Sequence, residues 1–295
     1  MNTTHRLPRH IPLLIVLLLL VPICRPQSDN NTSLSRFVIY GDTRTHHDVH
    51  RRVVLAAIEQ HPDFIVQTGD LVANSNKADQ WATFDRIIAP VREKRISYYP
   101  ARGNHDVGKE SKFSEEIPAP LRSANAYYYR FDVQNLRFLA LDTESDLSTK
   151  SDQYHWLEQQ LKDARSENKF VIPFFHEAIF SVGSRHGSNR KLQLVLHPLF
   201  RKYGVKLVFQ GHDHLYYRTT RDGIVYVVTG GGGAPLYGIV TSELQRGDVA
   251  QRTHHFCVAD LFPDEIRITV YAVARKRSGL KEIDKFVVPV KAMEN

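Results

Sequence analysis

The feature that most constrains the fold is a repeated unit in which a short apolar segment ends in Gly-Asp and a helical segment follows. Residues 36–42 (RFVIYGD) and 63–70 (DFIVQTGD) are the two apolar segments of this kind. Residues 47–60 place their apolar side chains on one helical face, and the sequence over 77–93 predicts a second helix. Strands that alternate with helices in this way indicate βαβ units and a mainly parallel sheet.

The rest of the chain adds further strands and two more helices. A third apolar segment, at 96–106, ends in Gly-Asn-His-Asp. Before residue 216, the segment 126–144 predicts two strands joined by a turn. The segments 151–167 and 190–203 predict helices, and the segments 170–177 and 205–214 predict buried strands. From residue 216 onward the apolar runs favour antiparallel strands. The whole pattern predicts one α/β sandwich domain without an internal boundary.

The N-terminal segment predicts export. Residues 1–24 combine a basic start with an apolar run of 14 residues at 11–24, which is short for a transmembrane helix and typical of a signal peptide. A short retained anchor is the alternative, because the cleavage site is poor. Residues 25–35 are polar and rich in turn formers, so we predict a flexible leader before a domain that covers 36–290.

Cysteine content and charge limit the possible cell compartments and binding partners of the protein. Signal cleavage would leave Cys257 as the sole cysteine, which is compatible with a secreted or periplasmic protein that has no disulfides. The net charge is +7, but the basic residues are spread out except at 275–281, a run that favours a solvated loop. We therefore expect no specific nucleic-acid partner, and membrane contact only through an uncleaved N-terminal segment. The sequence leaves the oligomeric state open.

Five apolar runs end in groups that can bind a metal ion. These groups are Asp42, Asp70, Asn104 with His105, His176, and His212 with His214. In open α/β sheets, ligands gather beyond the carboxyl ends of the strands, so the five loops can converge on one place. Carboxylate, amide and imidazole donors suit iron, manganese or zinc, and the lack of thiolates argues against a structural zinc site. A single Gly-Asp turn would be ordinary, but the ordered set predicts a metal centre.

The ordered motifs GD, GD, GNHD, H and GHDH resemble the calcineurin-like metallophosphoesterase superfamily over about residues 36–275. GHDHLYYR (211–218) and TGGGGAPLY (229–237) look most like its purple-acid-phosphatase-like branch. The resemblance implies a four-layer α/β/β/α sandwich and a phosphoric ester hydrolase that uses two divalent or trivalent ions of Fe, Mn or Zn. We interpret Gly230–Gly233 as a tight turn near the site rather than a P-loop, because no Lys-Ser/Thr follows.

The resemblance also implies a role for each motif residue. The expected ligands are Asp42 and His214 for the first ion, Asp70 as a bridge between both ions, and Asn104, His176 and His212 for the second ion. Two ions about 3.5–4 Å apart polarise the phosphoryl oxygens and activate a bound hydroxide as the nucleophile. Asp70 would set that separation, and His105 would contact the phosphate or protonate the leaving group.

Two positions depart from the family pattern. Ala73 stands three residues after the bridging aspartate, where the purple branch has a tyrosine, so we expect no tyrosinate-to-iron colour. Arg44 stands where other branches have a ligand histidine, so the first site lacks its usual fourth protein ligand. That site would bind weakly, take an extra water or recruit His46 or His47, which we otherwise expect in solvent at a helix N-terminus.

Substrate contacts are predicted from three basic residues besides His105. Arg44 would offer a positive fork to the phosphate oxygens or, alternatively, would pair with a nearby carboxylate and orient it. Arg185 and His186 lie in the polar loop 181–191 and would grip phosphate or protonate the leaving group, unless this is an ordinary surface loop.

These expectations favour an exported phosphomonoesterase that acts on a small phosphate ester. A phosphodiesterase with the same core is the first alternative. A phosphate-binding pseudoenzyme is the second, motivated by the residues found at positions 44 and 73.

Overall fold

Two β-sheets contain most of the apolar segments identified in the sequence. The computed structural model describes Met1 and residues 33–123, 127–274 and 279–290. The chain separates into two units, Met1–Asn30 and Asn31–Asn295, and the elements described here belong to the second. The predicted signal peptide and most of the predicted leader lie outside the described residues.

The first sheet combines strands from both ends of the domain. Its spatial order is β13 (Leu280–Pro289), β12 (Glu265–Val273), β11 (His255–Leu261), β1 (Ser35–Tyr40), β2 (Phe64–Gln67) and β3 (Ser97–Pro100). The strands β1, β2 and β3 are parallel, whereas β11, β12 and β13 continue the sheet in antiparallel fashion from β1. The first strand begins at Ser35, one residue before the predicted start of the domain.

The second sheet is built from the middle of the chain. Its spatial order is β10 (Val249–Gln251), β8 (Tyr216–Arg221), β9 (Ile224–Thr229), β7 (Leu207–Gln210), β6 (Phe170–Phe175), β5 (Leu136–Ala140) and β4 (Tyr129–Val133). The prediction of antiparallel strands after residue 216 is wrong for one pairing, because β9 lies parallel to β7. A tight turn at Asp222 and Gly223 folds β9 back from β8 and places it between β8 and β7.

Helices cover the outer face of each sheet. The described residues contain α1 (His47–Ile58), α2 (Ala78–Glu93), the short α3 (Phe113–Glu116), α4 (Asp152–Ser166) and α5 (Arg190–Lys202). The Ser151 hydroxyl caps α4 by accepting the N–H of Tyr154 at 3.1 Å. No helix in these ranges is long and apolar enough to span a membrane.

Apolar packing joins the layers into one domain. Between the sheets, the Phe37 ring of β1 stacks on Phe64 at 5.1 Å and meets the edge of Phe138 from β5 at 5.2 Å. On the far side of the second sheet, α4 and α5 bury Leu157 and Phe200 against the strands. The structure therefore confirms the predicted single-domain α/β/β/α sandwich. Of the basic run at 275–281, residues 275–278 lie outside the described residues.

Candidate metal centre

The predicted ligand residues follow strands whose parallel neighbours end at the same edge of each sheet. Each candidate ligand comes shortly after the last residue of its strand: Asp42 after Tyr40, Asp70 after Gln67, Asn104 after Pro100, His176 after Phe175, and His212 after Gln210. Three of these strands belong to the first sheet and two to the second. The packing of the two sheets therefore brings the five loops together, as the ligand pattern predicts.

Three of the candidate ligands turn the chain with a left-handed backbone. Asp42, Asp70 and His212 have φ values of 57°, 61° and 70°. This conformation is uncommon outside glycine and concentrates at functional sites. The Asp42 N–H donates to the Gly69 carbonyl at 2.9 Å, so the first two loops are joined directly behind the carboxylates.

Three donor atoms from three other loops gather around the His176 imidazole. Its Nε2 lies 3.1 Å from Asn104 Oδ1, 3.0 Å from His212 Nδ1 and 3.4 Å from Asp70 Oδ1. Tetrahedral ligands at ordinary zinc–ligand distances lie about 3.3 Å from one another. We call these four residues the second donor group, and the distances of the other three atoms from His176 Nε2 suit ligands of one metal ion.

Asp42 and His214 lie beside this group and form the first donor group. Asp42 Oδ1 is 3.4 Å from His214 Nε2, and it is buried without a hydrogen-bond partner. The other oxygen of Asp42 accepts the His212 N–H at 3.0 Å. Asp42, Asp70 and His176 offer atoms that all lie within 4.8 Å of one another. A buried, unpartnered carboxylate oxygen is costly unless a cation binds it, so the first group is also compatible with a metal ion.

Backbone carbonyls orient two of the imidazoles. His176 Nδ1 is 3.0 Å from the Thr68 carbonyl, and His214 Nδ1 is 2.7 Å from the Pro235 carbonyl. A carbonyl can only accept, so each Nδ1 carries the hydrogen and the neutral ring keeps an unprotonated Nε2. Proteins commonly fix metal-binding histidines in this way, through a hydrogen bond from the ring N–H that does not face the metal.

Electrostatics at the centre favour positive charge. Burial opposes ionisation of Asp42, but the imidazoles of His214, His176 and His212 outweigh it and lower the pKa of Asp42 to about 2. Burial would lower the pKa of His176, yet the Asp70, Asp42 and Glu144 carboxylates raise that pKa to about 9. Glu144, which follows β5, is not among the site residues predicted from the sequence.

The glycines at 230–233 are needed for close packing and not for an unusual backbone conformation. A Cβ on Gly230 would lie 2.3 Å from the Asp213 carbonyl and 2.8 Å from Asp42 Oδ2. A Cβ on Gly232 would lie 2.4 Å from the Gly41 carbonyl. Only residues without a side chain fit there, and the segment bends at 232–234 close to Asp42.

Asp106, the last residue of GNHD, is a structural residue that the sequence analysis missed. Its buried carboxylate accepts four backbone N–H groups, which belong to Asp70, Leu71, Val72 and Gly103 at 2.9–3.3 Å. It therefore fixes the loop of one ligand, Asp70, against the loop of another, Asn104. Its only sequence signal is its place beside two predicted site residues.

His105 lies at the margin of the centre. Its Nδ1 is 2.7 Å from the Ala73 carbonyl, and its Nε2 is 3.9 Å from Asp70 Oδ2. About a third of its side chain is exposed, 32%. The Ala73 carbonyl fixes the hydrogen on Nδ1, so in the imidazolium form Nε2 carries the second, transferable proton.

A second buried carboxylate positions His186. Asp213, between the two histidines of GHDH, accepts the Ser181 hydroxyl at 2.5 Å and the backbone N–H of Gly187 at 2.9 Å and of His186 at 3.3 Å. The His186 ring lies 3.8 Å from the His212 ring, centroid to centroid. The structure thus brings His186 to the metal centre.

Arg185 and Arg44 have different surroundings from each other. Arg185 is exposed, and its guanidinium lies 5.3 Å from the ring centroid of Tyr237. Arg44 donates from Nε to Asp70 Oδ2 at 3.2 Å and from Nη2 to the Tyr237 hydroxyl at 3.4 Å. The arrangement corresponds to the alternative in which Arg44 pairs with a carboxylate. Tyr237 was missed, although it closes the TGGGGAPLY segment.

His46 and His47 are not part of the first donor group. His47 is exposed as the first residue of α1, and the His46 ring lies 6.1 Å from the ring of His254. The expected exposure to solvent at a helix N-terminus is confirmed for His47 and is wrong for His46, which is half-buried with a buried Nδ1.

Comparison with known proteins identifies the family. The model of the calcineurin-like phosphoesterase family matches residues 35–216, more than half of the chain. The chain belongs to this family. The probable purple acid phosphatase 20 of Arabidopsis thaliana is 27% identical over 202 residues, which cover 61% of this chain and 47% of the plant protein. A nucleotide pyrophosphatase/phosphodiesterase of Hordeum vulgare is 25% identical over 221 residues, with 61% and 60% covered.

A solved structure shows the same fold. The purple acid phosphatase from yellow lupin (Lupinus luteus) seeds superposes with a TM-score of 0.73 at 18% identity, over 88% of this chain and 54% of the lupin chain. This chain spans about half the length of the curated relatives it matches. The comparisons confirm the purple-acid-phosphatase-like resemblance.

Gly69→Ala should disrupt the centre. A Cβ at Gly69 would lie 2.5 Å from His176 Nδ1, and φ is +103°, so we expect a loss of about 3 kcal/mol or more in the free energy of unfolding. Gly223→Ala is the matched control, because φ is +73° and no atom lies within 4 Å, so its loss should be about 1–2 kcal/mol. Urea unfolding and metal content measure both, and equal losses would contradict the close contact with His176.

Asp106→Asn should loosen the two loops that carry Asp70 and Asn104. The amide replaces one acceptor oxygen by a donor, which leaves buried N–H groups unpaired and should cost about 3 kcal/mol of unfolding free energy. Asp79→Asn, on an exposed position of α2, should change it by less than about 0.5 kcal/mol. Urea titrations of both variants test this, and an Asp106→Asn protein as stable as the Asp79→Asn protein would refute it.

Proposed function

We propose that this protein is a metal-dependent phosphomonoesterase. The observation that carries the proposal is the second donor group, in which Asp70, Asn104 and His212 each place a donor atom 3.0–3.4 Å from His176 Nε2. Membership of the calcineurin-like phosphoesterases and similarity to purple acid phosphatases support phosphoric ester hydrolysis. Mixed oxygen and nitrogen donors without thiolates suit Fe, Mn or Zn.

The protein's own residues would bind and protonate the substrate. A bound metal ion supplies Lewis-acid polarisation of the phosphoryl group. His105 would donate its Nε2 proton to the leaving alkoxide, because Nδ1 is held by the Ala73 carbonyl and Nε2 faces Asp70 at the margin of the centre. His186 and Arg185 would contact the phosphate from the opposite loop, and Arg44 adds a fixed positive charge beside Asp70.

Charge favours a monoester over a diester. A phosphate monoester carries up to two negative charges at neutral pH, and the guanidinium groups of Arg44 and Arg185 lie at Tyr237 next to the donor groups. A phosphodiesterase remains the second candidate, because the chain is also similar to the barley nucleotide pyrophosphatase/phosphodiesterase.

We also propose that the protein is exported, to the periplasm or the cell exterior. The composition of residues 1–24 supports this, and an uncleaved segment would attach the protein to the membrane.

Metal-dependent turnover is the direct test. With Mn, Zn or Fe, the protein should hydrolyse p-nitrophenyl phosphate with a kcat/KM at least about tenfold above that for bis-p-nitrophenyl phosphate, and EDTA should abolish activity. Asp70→Ala should lose both metal and turnover, whereas Asp264→Ala, in the exposed turn before β12, should retain them. Faster diester turnover would favour the phosphodiesterase, and bound metal without turnover of either ester would indicate a pseudoenzyme.

His105→Ala should slow the reaction without releasing metal. Loss of a general acid typically costs about 10²–10⁴-fold in rate. The loss should be larger for an alkyl phosphate than for p-nitrophenyl phosphate, because nitrophenolate leaves without a proton. Steady-state kinetics with both esters, together with elemental analysis, measure this. Equal losses for the two esters would exclude the acid role, and a loss of metal would make His105 a ligand.

A further inference from the structure

The two oxygens of the Asp70 carboxylate have different neighbours. Oδ1 accepts the His105 backbone N–H at 3.0 Å and lies 3.4 Å from His176 Nε2, so it belongs to the second donor group. Oδ2 accepts the Nε–H of Arg44 at 3.2 Å, and the carboxylate is only 1% exposed. The Asp70 oxygen that does not belong to the second donor group is therefore bound by a guanidinium cation.

Tyr237 holds Arg44 in this position. Its hydroxyl accepts from Arg44 Nη2 at 3.4 Å, and its backbone N–H donates to the His214 carbonyl at 3.0 Å. Its ring stacks on the His214 imidazole with centroids 4.0 Å apart and an angle of 23° between planes. The guanidinium thus links Asp70 to the residue that covers His214, the imidazole of the first donor group.

The first donor group is left with few ligands of its own. Among the described residues, Asp42 Oδ1 and His214 Nε2 face each other there at 3.4 Å, and the other groups near Asp42, which are Asp70 and His176, already belong to the second donor group. The second group offers four donors, three of which lie 3.0–3.4 Å from the fourth, His176 Nε2. A cation bound between Asp42 and His214 would also stand next to the Arg44 charge in a buried environment, where repulsion between like charges is strong.

We propose that the Arg44 guanidinium takes the place of the first metal ion, so that the chain binds one metal ion tightly, in the second donor group. The inference rests on the proposed metal dependence and specifies it further. The guanidinium neutralises Asp70 Oδ2 and keeps a positive charge beside the site whatever the metal supply. The protein would then be a phosphatase with one metal ion, and the Arg44 side chain would supply the second positive charge.

Metal stoichiometry tests the proposal without reference to activity. Metal-free full-length protein is titrated with Mn(II) by calorimetry and, after dialysis, analysed for bound metal. The wild-type chain should bind about one equivalent tightly, and Arg44→His, which replaces the cation by an imidazole ligand, should bind about two. Two Mn(II) ions that share a carboxylate are magnetically coupled, so the electron paramagnetic resonance spectrum should change from that of an isolated ion to that of a coupled pair.

Arg185→Ala is the matched control, since it removes a neighbouring guanidinium that stacks over Tyr237 without contacting Asp70. It should leave the stoichiometry at about one. Two tightly bound ions in the wild-type chain would overturn the inference while leaving metal dependence intact, and so would an Arg44→His protein that folds but still binds one. A chain that binds no metal would overturn the proposed function itself. If Arg44→His unfolds, the wild-type stoichiometry still decides the question.

Discussion

The carboxylate of Asp106 is the interaction on which the rest of the site depends. Loops that leave two neighbouring parallel strands expose backbone N–H groups, and at this depth water does not reach them. Asp106 accepts four of these groups, three from Asp70–Val72 and one from Gly103. The loops after β2 and β3 are therefore fixed to each other, and the positions of Asp70 and Asn104 follow from that connection.

In the GHDH segment, on the other side of the centre, a buried carboxylate again holds a loop through its backbone N–H groups. Asp213 holds the loop of Ser181–Gly187 through one hydroxyl and two backbone N–H groups, and this places His186 against His212. Backbone carbonyls then fix the rotation of the histidine rings. In both motifs a buried carboxylate adjacent to the ligands positions backbone, so the donors are held in place before any ligand binds.

Most of the fold could be predicted because it depends on local pattern. Strand and helix segments follow from the period of the apolar residues, and the family follows from the order of the motifs. The parallel pairing of β9 with β7 could not be predicted, because a hairpin turn determines only that β9 runs back along β8. Asp106, Asp213 and Tyr237 were missed for a related reason, since their partners lie far away in the sequence or belong to the backbone.

The sequence by itself determined the chemistry available at the strand ends: carboxylates, an amide and imidazoles in a fixed order, with an arginine at position 44. Only the tertiary structure decided which of these atoms meet. Arg44 and Asp70 leave neighbouring strands of the first sheet, whereas Tyr237 follows a strand of the second. Their contact depends on how the two sheets pack, and sheet packing is set by the shared apolar core rather than by any local signal.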